Sequence, residues 1–381
     1  MTLPRIKMED MVDPIIDATA FGERDVLPEE AFRRRIAIER KRTERSREPF
    51  LLMLLEAGSL QNGTAAEQTL DGIIAAMQSS TRETDVVGWY KDGNTVGVMF
   101  TGLVVSDRNS VLCTILGRVS SALQQEVSME RFNQIAFSFH FFPDDWDGDN
   151  GGRPSDPILY PDIFIPSSDQ RNLLRIKRVM DILGSSAMLL VCLPVFAVIA
   201  LLVRLTSKGP ILFRQDRIGQ YGRRFTFLKF RSMRVDNDES VHREYVKQLI
   251  AGVAERVPAN GNGEGVYKLA GDKRITPIGK FLRKTSLDEL PQFLNVLRGD
   301  MSLVGPRPPI PYELAAYQTW HRRRVLQVKP GITGLWQVTG RSRVRFDDMV
   351  RLDLRYAISW SPWLDCKILL RTPGAVIRGA Y

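Results

Sequence analysis

One stretch breaks the alternation of apolar and polar positions seen along the rest of the chain. From Ile182 to Val203 no charged residue occurs, and Pro194 stands inside the run. About twenty apolar residues suffice to cross the ~30 Å hydrocarbon core of a bilayer. Pro194 alters what such a helix does, because it lacks a backbone donor and crowds the preceding turn, so a kink is expected there. Arg171, Arg175, Lys177 and Arg178 precede the run, and Arg204 and Lys208 follow it. A spanning helix usually carries its lysine and arginine excess on one side only. The pattern predicts a helix over about residues 179–205 that enters the membrane, breaks at Leu193 and Pro194, and leaves on the side it entered. A kinked helix that crosses once is the competing reading. A buried soluble helix is a poorer one, since few sustain so long an uncharged run.

Ahead of this run the patterns are those of a soluble α/β unit. Glu29 to Arg47 reads as a charged helix with acid-to-base pairs such as Glu30 and Arg34 spaced for one solvated face. Phe50 to Leu55 reads as a buried strand, Leu70 to Gln78 as an amphipathic helix, and Asp85 to Phe100 as two strands around Lys91-Asp92-Gly93-Asn94. A helix near Ser110 to Glu126 and a strand near Gln134 to Phe142 complete the unit. Asp144 to Asp169 is rich in Asp, Gly, Pro and Ser and reads as a linker. Its DDWDGDNGG stretch has neither the glycine position nor the closing glutamate of an EF-hand loop.

Charge divides at the same place. Of the net +9, the residues from Arg171 onward hold 36 Lys+Arg against 17 Asp+Glu, while those before hold 17 against 27. A basic module beside a membrane segment suits anionic headgroups and phosphate-rich substrates. Nucleic acid is disfavoured as partner, because no zinc-finger spacing or aromatic RNA-binding signature occurs. Cys113, Cys192 and Cys366 are too dispersed for a disulfide framework, and His140, His242 and His321 for a transition-metal site. Any metal is therefore expected to be a hard cation held by carboxylates. The first residues, MTLPRIKMEDMVD, have no apolar core of a signal peptide.

Candidate chemistry follows the run. In FLRKTSLDELPQFLNVLRGD, Leu290, Phe293, Leu294 and Leu297 fall at helical spacing and Gly299 supplies a stop. Asp288 is thus expected at a helix N-terminus, with Pro291 among the earliest helical positions. Ser286 and Glu289 have capping-box spacing, which accounts for the acids structurally. The same physics serves a functional reading, because a helix N-terminus binds phosphate and keeps a carboxylate ionised for attack on phosphorus. Arg307, between Pro306 and Pro308, offers a restrained planar donor fork. In KPGITGLWQVTGR, Gly331 and Gly334 permit close backbone approach, and Trp336 either stacks on a base or simply fills a glycine-cornered turn. Asp236 to Lys268 reads as a charged helix followed by a glycine-rich loop around Gly261 to Gly265. Phe346 to Tyr356, with Trp360 and Trp363, suits either a membrane interface or a packed surface.

Two resemblances sharpen this. Asp85-Val86-Val87-Gly88-Trp89-Tyr90 and the strand ending Val96 to Phe100 resemble a GGDEF-type domain, the diguanylate cyclase fold. Where that family carries its signature this chain reads KDGNT, which implies a degenerate domain used for regulation or self-association. Arg175 to Tyr381 resembles the bacterial sugar transferase family, the monotopic phosphoglycosyl transferases. The resemblance rests on KRVMD, GPILFRQDRIGQYGRRFTFLKFRSM, DKRITPIGKFLRKTSLDELPQ, SLVGPRP and KPGITGLWQV, in that order. Many members place Ser-Pro at the helix break, where this chain has Leu193-Pro194.

The second resemblance implies transfer of a hexose 1-phosphate from a UDP-sugar to undecaprenyl phosphate, through a covalent phosphosugar-aspartate. It puts the nucleophile on Asp288, with Glu289 assisting in proton or Mg2+ handling, and Mg2+ held by Asp288 and Glu289. It puts phosphate-binding arginines on Arg283 and Arg307, and nucleotide or sugar contacts on Trp336, Gln337, Arg341 and Arg231. The expected architecture is an N-terminal extension with a charged helix in 1–48, a GGDEF-like α/β domain in 49–143, a linker in 144–170, and a mainly helical α+β membrane-associated catalytic domain in 171–381. The expected setting is the cytoplasmic face of a bacterial inner membrane, among membrane lipids, with room for a homodimer. A non-catalytic membrane-anchored signalling protein is the alternative.

Overall fold

The computed structural model describes residues 26–57, 64–103, 107–144, 156–164, 168–234, 240–256, 267, 274–340 and 343–379. They form two compact units, the first comprising residues up to Asp144 with Asp156–Asp162, the second the remainder.

The first unit contains α1 (Glu29–Ser46), β1 (Phe50–Glu56), α2 (Thr64–Ser80), β2 (Val86–Lys91), β3 (Thr95–Phe100), α3 (Arg108–Glu126), α4 (Met129–Phe132) and β4 (Ala136–Phe142). The sheet order is β2-β3-β1-β4 with every neighbouring pair antiparallel. This is the split βαβ arrangement of ferredoxin-like folds. The central strand β1 is an unbroken apolar run because both of its faces are covered. Leu51, Met53 and Leu55 join one core cluster with residues of α2 and α3, such as Ile73 and Val119. The opposite face takes α1, whose Phe32 is fully buried against Gly88 and Gly97. A Cβ at Gly97 would lie 2.3 Å from the Phe32 ring, so the glycines are what admit the helix.

This corrects two boundaries. The charged helix is not an extension ahead of the domain but one of its layers: Phe32, Ile36 and Ala37 form a buried stripe that continues to Arg40, itself buried and paired with Asp162, while Glu29 pairs with Arg33 at 2.7 Å. Within the expected linker, residues 145–155 and 165–167 are outside the described residues. Residues 156–162 pack on the first unit, where Leu159 and Tyr160 are buried and Tyr160 donates to Asp144 at 2.6 Å. The chain then passes through the short α5 (Pro161–Phe164).

The second unit opens with α6 (Ser168–Val191) and α7 (Leu193–Thr206), which meet at 61° across Cys192. Among the described residues no single helix is long and apolar enough to cross a membrane, whereas this bent pair passes that test jointly. Pro194 lies in the first turn of α7, where a missing N–H costs no intrahelical bond. The break falls at Cys192, a residue before the expected Leu193-Pro194. Leu190, Val191 and Leu193 around it are exposed.

The unit continues through hairpin β5 (Leu212–Ile218) and β6 (Arg224–Phe230), then α8 (Ser240–Ile250), α9 (Pro277–Thr285), α10 (Gln292–Arg298), β7 (Ser302–Val304), α11 (Pro311–Ala315), α12 (Thr319–Gln327), β8 (Gly331–Thr333), α13 (Leu335–Thr339), α14 (Phe346–Ile358) and α15 (Pro362–Gly379). Strands β7 and β8 pair in parallel. Helix α8 is the described part of the expected charged helix, and the glycine-rich loop after it lies outside the described residues. Phe346, Val350 and Tyr356 of α14 are buried, so that helix packs inward, while Trp363 on α15 is exposed.

The KRVMD segment ties α6 to the rest. Buried Lys177 donates to Asp365 at 2.6 Å, Tyr356 at 3.1 Å and the Val304 carbonyl at 3.1 Å. Arg178 donates to the carbonyls of Val296 and Leu297, both at 2.7 Å, at the end of α10. Asp181 accepts from Ser302 Oγ at 2.9 Å and the Leu303 amide at 2.8 Å.

Candidate active site

Asp288 and Glu289 stand on a 3-10 turn, Leu287–Glu289, between α9 and α10. Ser286 takes a left-handed conformation with φ of 56°, which ends α9 and redirects the chain. The expected capping box is not made: the Ser286 side chain caps nothing, and Glu289 turns to Lys229 instead, at 3.0 Å. Asp288 therefore precedes α10 rather than opening it, with Pro291 as the residue before the helix.

The turn is pressed onto α7. Leu287 and Leu290, on either side of the acids, pack against a cluster of Ile199 and Val203 from α7, Phe230 from β6 and Leu282 from α9. Asp288 is consequently only 6% exposed. Burial raises its carboxyl to about 6; Lys229 and Arg283 pull it down, and the neighbouring charge of Glu289 pushes it up. At neutral pH such a group is mostly ionised yet poorly hydrated, the condition that favours nucleophilic attack. Motif spacing does not point to Lys229. Its signal is a cation inside the aromatic alternation FTFLKF, with its ammonium 5.3 Å from the Phe227 ring centroid.

The other expected residues divide between this turn and elsewhere. Arg283, in the last turn of α9, is exposed and acts on Asp288. Arg307 is exposed and belongs to a second cationic group, 3.9 Å from Glu313 and electrostatically coupled to Arg217 and His242. Its flanking prolines are not its only restraint. Buried Arg324 donates to the Arg307 carbonyl at 3.0 Å, and Arg217 to the Pro308 carbonyl at 2.7 Å. Trp336 and Gln337 sit on α13, whose leading Gly334 abuts the Gly305 carbonyl. The Trp336 Nε1 and Gln337 Oε1 atoms are buried without a partner among the described residues. Arg341 lies outside the described residues. Arg231 is buried at the end of α7, where it donates to Ser207. Among the described residues no three metal-ligating side chains cluster.

A family model described as bacterial sugar transferase matches residues 172–379. The chain belongs to the bacterial sugar transferase family. Its relatives include galactosyl transferase CpsE of Streptococcus agalactiae, 47% identical over 53% of this chain and 42% of that protein. The exopolysaccharide production protein ExoY of Rhizobium meliloti is 39% identical over 54% of this chain and 88% of its own length. The UDP-glucose:undecaprenyl-phosphate glucose-1-phosphate transferase of Escherichia coli is 40% identical over 57% of this chain and 43% of that protein. The chain thus spans less than half the length of several relatives it matches. The bacterial sugar transferase region takes in the bent helix pair, the hairpin and the Asp288 turn, and leaves out the α/β unit. That unit resembles a DGC protein from Thermotoga maritima only at a TM-score of 0.26 and 17% identity, over 32% of this chain and 86% of that one, which assigns it to no family.

Proposed function

We propose that this protein transfers a hexose 1-phosphate from a UDP-sugar to undecaprenyl phosphate, and so starts a lipid-linked exopolysaccharide, capsule or O-antigen glycan. The observation that carries the reading is Asp288: a buried carboxylate under the electrostatic pull of Lys229 and Arg283, on a turn packed against a helix of the bent apolar pair. An Asp288 oxygen attacks the sugar-linked phosphorus, the bond to the UMP phosphate breaks, and UMP leaves with the electron pair. An oxygen of the lipid phosphate then attacks the same phosphorus, and the Asp288 carboxylate is released. Arg283 and Arg307 are the candidates for holding the diphosphate, as planar donors suited to phosphate. Glu289, paired with Lys229, sets the charge beside the nucleophile and handles protons.

Two adjacent carboxylates fit Mg2+, which commonly takes one or two protein carboxylates and completes its shell with phosphate oxygens and water. Asp288 and Glu289 would hold it, and it would neutralise the diphosphate charge. In this reading the bent pair lies in the cytoplasmic leaflet as a re-entrant element, bringing the turn to the surface where soluble and lipid substrates meet. The α/β unit is a degenerate GGDEF-like regulatory module, whose Asp92-Gly93-Asn94 hairpin turn lacks that family's signature acids.

The test is UMP release with undecaprenyl phosphate present, screened first with UDP-glucose and UDP-galactose. Wild type is expected to turn over one of the sugar nucleotides and to acquire label from its sugar phosphate. Asp288→Ala is expected to do neither, and retained turnover in that variant would refute the nucleophile assignment.

A further inference from the structure

The strand that carries Lys229 continues to a second cation whose bonding is incomplete. Arg231 follows β6, its amide still paired with the Ile211 carbonyl at 3.0 Å, and its side chain is 4% exposed. One terminal nitrogen, Nη2, donates to the carbonyl and hydroxyl of Ser207 at 2.7 and 2.8 Å. Ser207 is the residue that closes α7. An arginine finishing a helix C-terminus is the plain structural account, and Nη2 satisfies it. The other two nitrogens, Nε and Nη1, are buried and have no partner among the described residues. Leaving charged donors buried and unpaired is costly. The charge of exposed Arg204 bears on the same guanidinium and makes the positive potential stronger.

The surroundings limit which anion belongs there. Residues two apart on an extended strand share a face and lie about 6–7 Å apart. That places Arg231 one such step from Lys229, whose ammonium touches Glu289 beside Asp288. On the other side, the last turns of α7 present Leu201, Leu202 and Leu205 exposed, with Phe213 exposed on β5. A phosphate with an apolar chain fits both features: charge at the guanidinium, hydrocarbon along α7. A nucleotide diphosphate has no use for the apolar strip.

We propose that Arg231, with Arg204, binds the phosphate monoester of the lipid acceptor where α7 leaves the membrane, one strand step from Lys229, the cation that contacts the catalytic turn. This rests on the transferase reading above and adds to it the acceptor's seat. The site holds the acceptor phosphate beside the turn while the sugar phosphate is on Asp288, so it acts in the second half of the reaction only.

The experiment separates the two halves in full-length protein in zwitterionic nanodiscs, using the UDP-sugar that the screen identifies. Arg231→Gln is expected to acquire covalent sugar-phosphate label to the wild-type extent, while its KM for undecaprenyl phosphate rises by about 30-fold, the scale of one lost charge-assisted hydrogen-bond set. Its KM for the UDP-sugar stays at the wild-type value; a rise there would make Arg231 the nucleotide or sugar contact expected from the sequence and would overturn the proposal. Arg231→Lys, which keeps the charge, recovers part of the loss. A purely capping role would lower stability and both halves together, and that result overturns the proposal, as does an unchanged acceptor KM. Should Arg231→Gln fail to fold, exposed Arg204→Gln carries the same expectation at about threefold. Anionic phospholipid is the second arm. If it raises the acceptor KM of wild type and not of Arg231→Gln, the site is a general headgroup site and the acceptor assignment falls. Absence of label in wild type would instead overturn the transferase reading itself.

Discussion

Replacing Lys229 by methionine removes the positive charge that touches Glu289 and helps keep Asp288 ionised. Burial sets the Asp288 carboxyl at about 6 against the opposing pull of Lys229 and Arg283. At pH 7 such a group is about nine-tenths ionised. An opposite charge beside a carboxylate lowers its pKa by roughly 1 to 3, and Lys229 is the stronger of the two cationic pulls on Asp288, so its loss moves that carboxyl to about 7 to 9. The ionised fraction at pH 7 then falls to between about one-half and about one-hundredth. Lys229 is partly exposed, and solvent screening favours the smaller end of that range. The assay is the initial rate of covalent labelling, without lipid acceptor, at fixed Mg2+ from pH 5.5 to 9. Lys229→Met is expected to shift the acidic limb to higher pH by at least one unit, and Lys229→Arg to restore most of it. Weaker substrate binding would lower the plateau but leave the midpoint in place. A midpoint equal to that of wild type would refute the electrostatic account of the turn.

Asp288→Asn should stabilise the protein while abolishing transfer. A folded pKa of about 6 against 3.8 means this group's contribution is complete below pH 4 and is lost as pH rises through about 6. The asparagine variant should therefore exceed wild type by up to about 3 kcal/mol at pH 7.5 and match it at pH 4, as read by thermal unfolding; a wild type more stable at pH 7.5 contradicts the burial argument. Lys177→Met leaves Asp365 charged, buried and short of a partner, at a cost of about 3–5 kcal/mol in unfolding free energy, and adding Asp365→Leu should recover much of it. Gly331→Ala sets a Cβ 2.0 Å from the Gly305 amide nitrogen, which is backbone and cannot swing aside, so loss of about 2–3 kcal/mol or failure to fold is expected. In a variant freed of Cys113, Cys192 and Cys366, single cysteines at Arg171 and Lys208 should both react with an impermeant maleimide from one side of oriented vesicles. Reaction from opposite sides would defeat the re-entrant reading of the bent pair.

The sequence alone determined the properties that depend on neighbours along the chain. The uncharged run with Pro194, the strands Phe50–Glu56 and Val86–Phe100, and the adjacency of Asp288 and Glu289 are all local, because periodicity, a missing backbone donor and a shared turn act within a few residues. Tertiary structure decided whatever depends on what comes to lie opposite. The charged helix Glu29–Ser46 is half buried only because Gly88 and Gly97, about sixty residues away, leave room for Phe32. Ser286 and Glu289 have the spacing of a capping box, and the box is absent because Ser286 is left-handed where a cap needs extended backbone, its amide donates back to the Arg283 carbonyl, and Glu289 pairs with Lys229. The Asp288 carboxyl is shifted because α7 and β6 exclude water from a turn that its own sequence would leave exposed. Arg283 and Arg307 look alike as phosphate-binding arginines in the sequence, yet they stand in two different charge groups in the fold. Burial and long-range electrostatics arise from groups that meet only after folding, so they set the chemistry of this turn without leaving a mark in its local sequence.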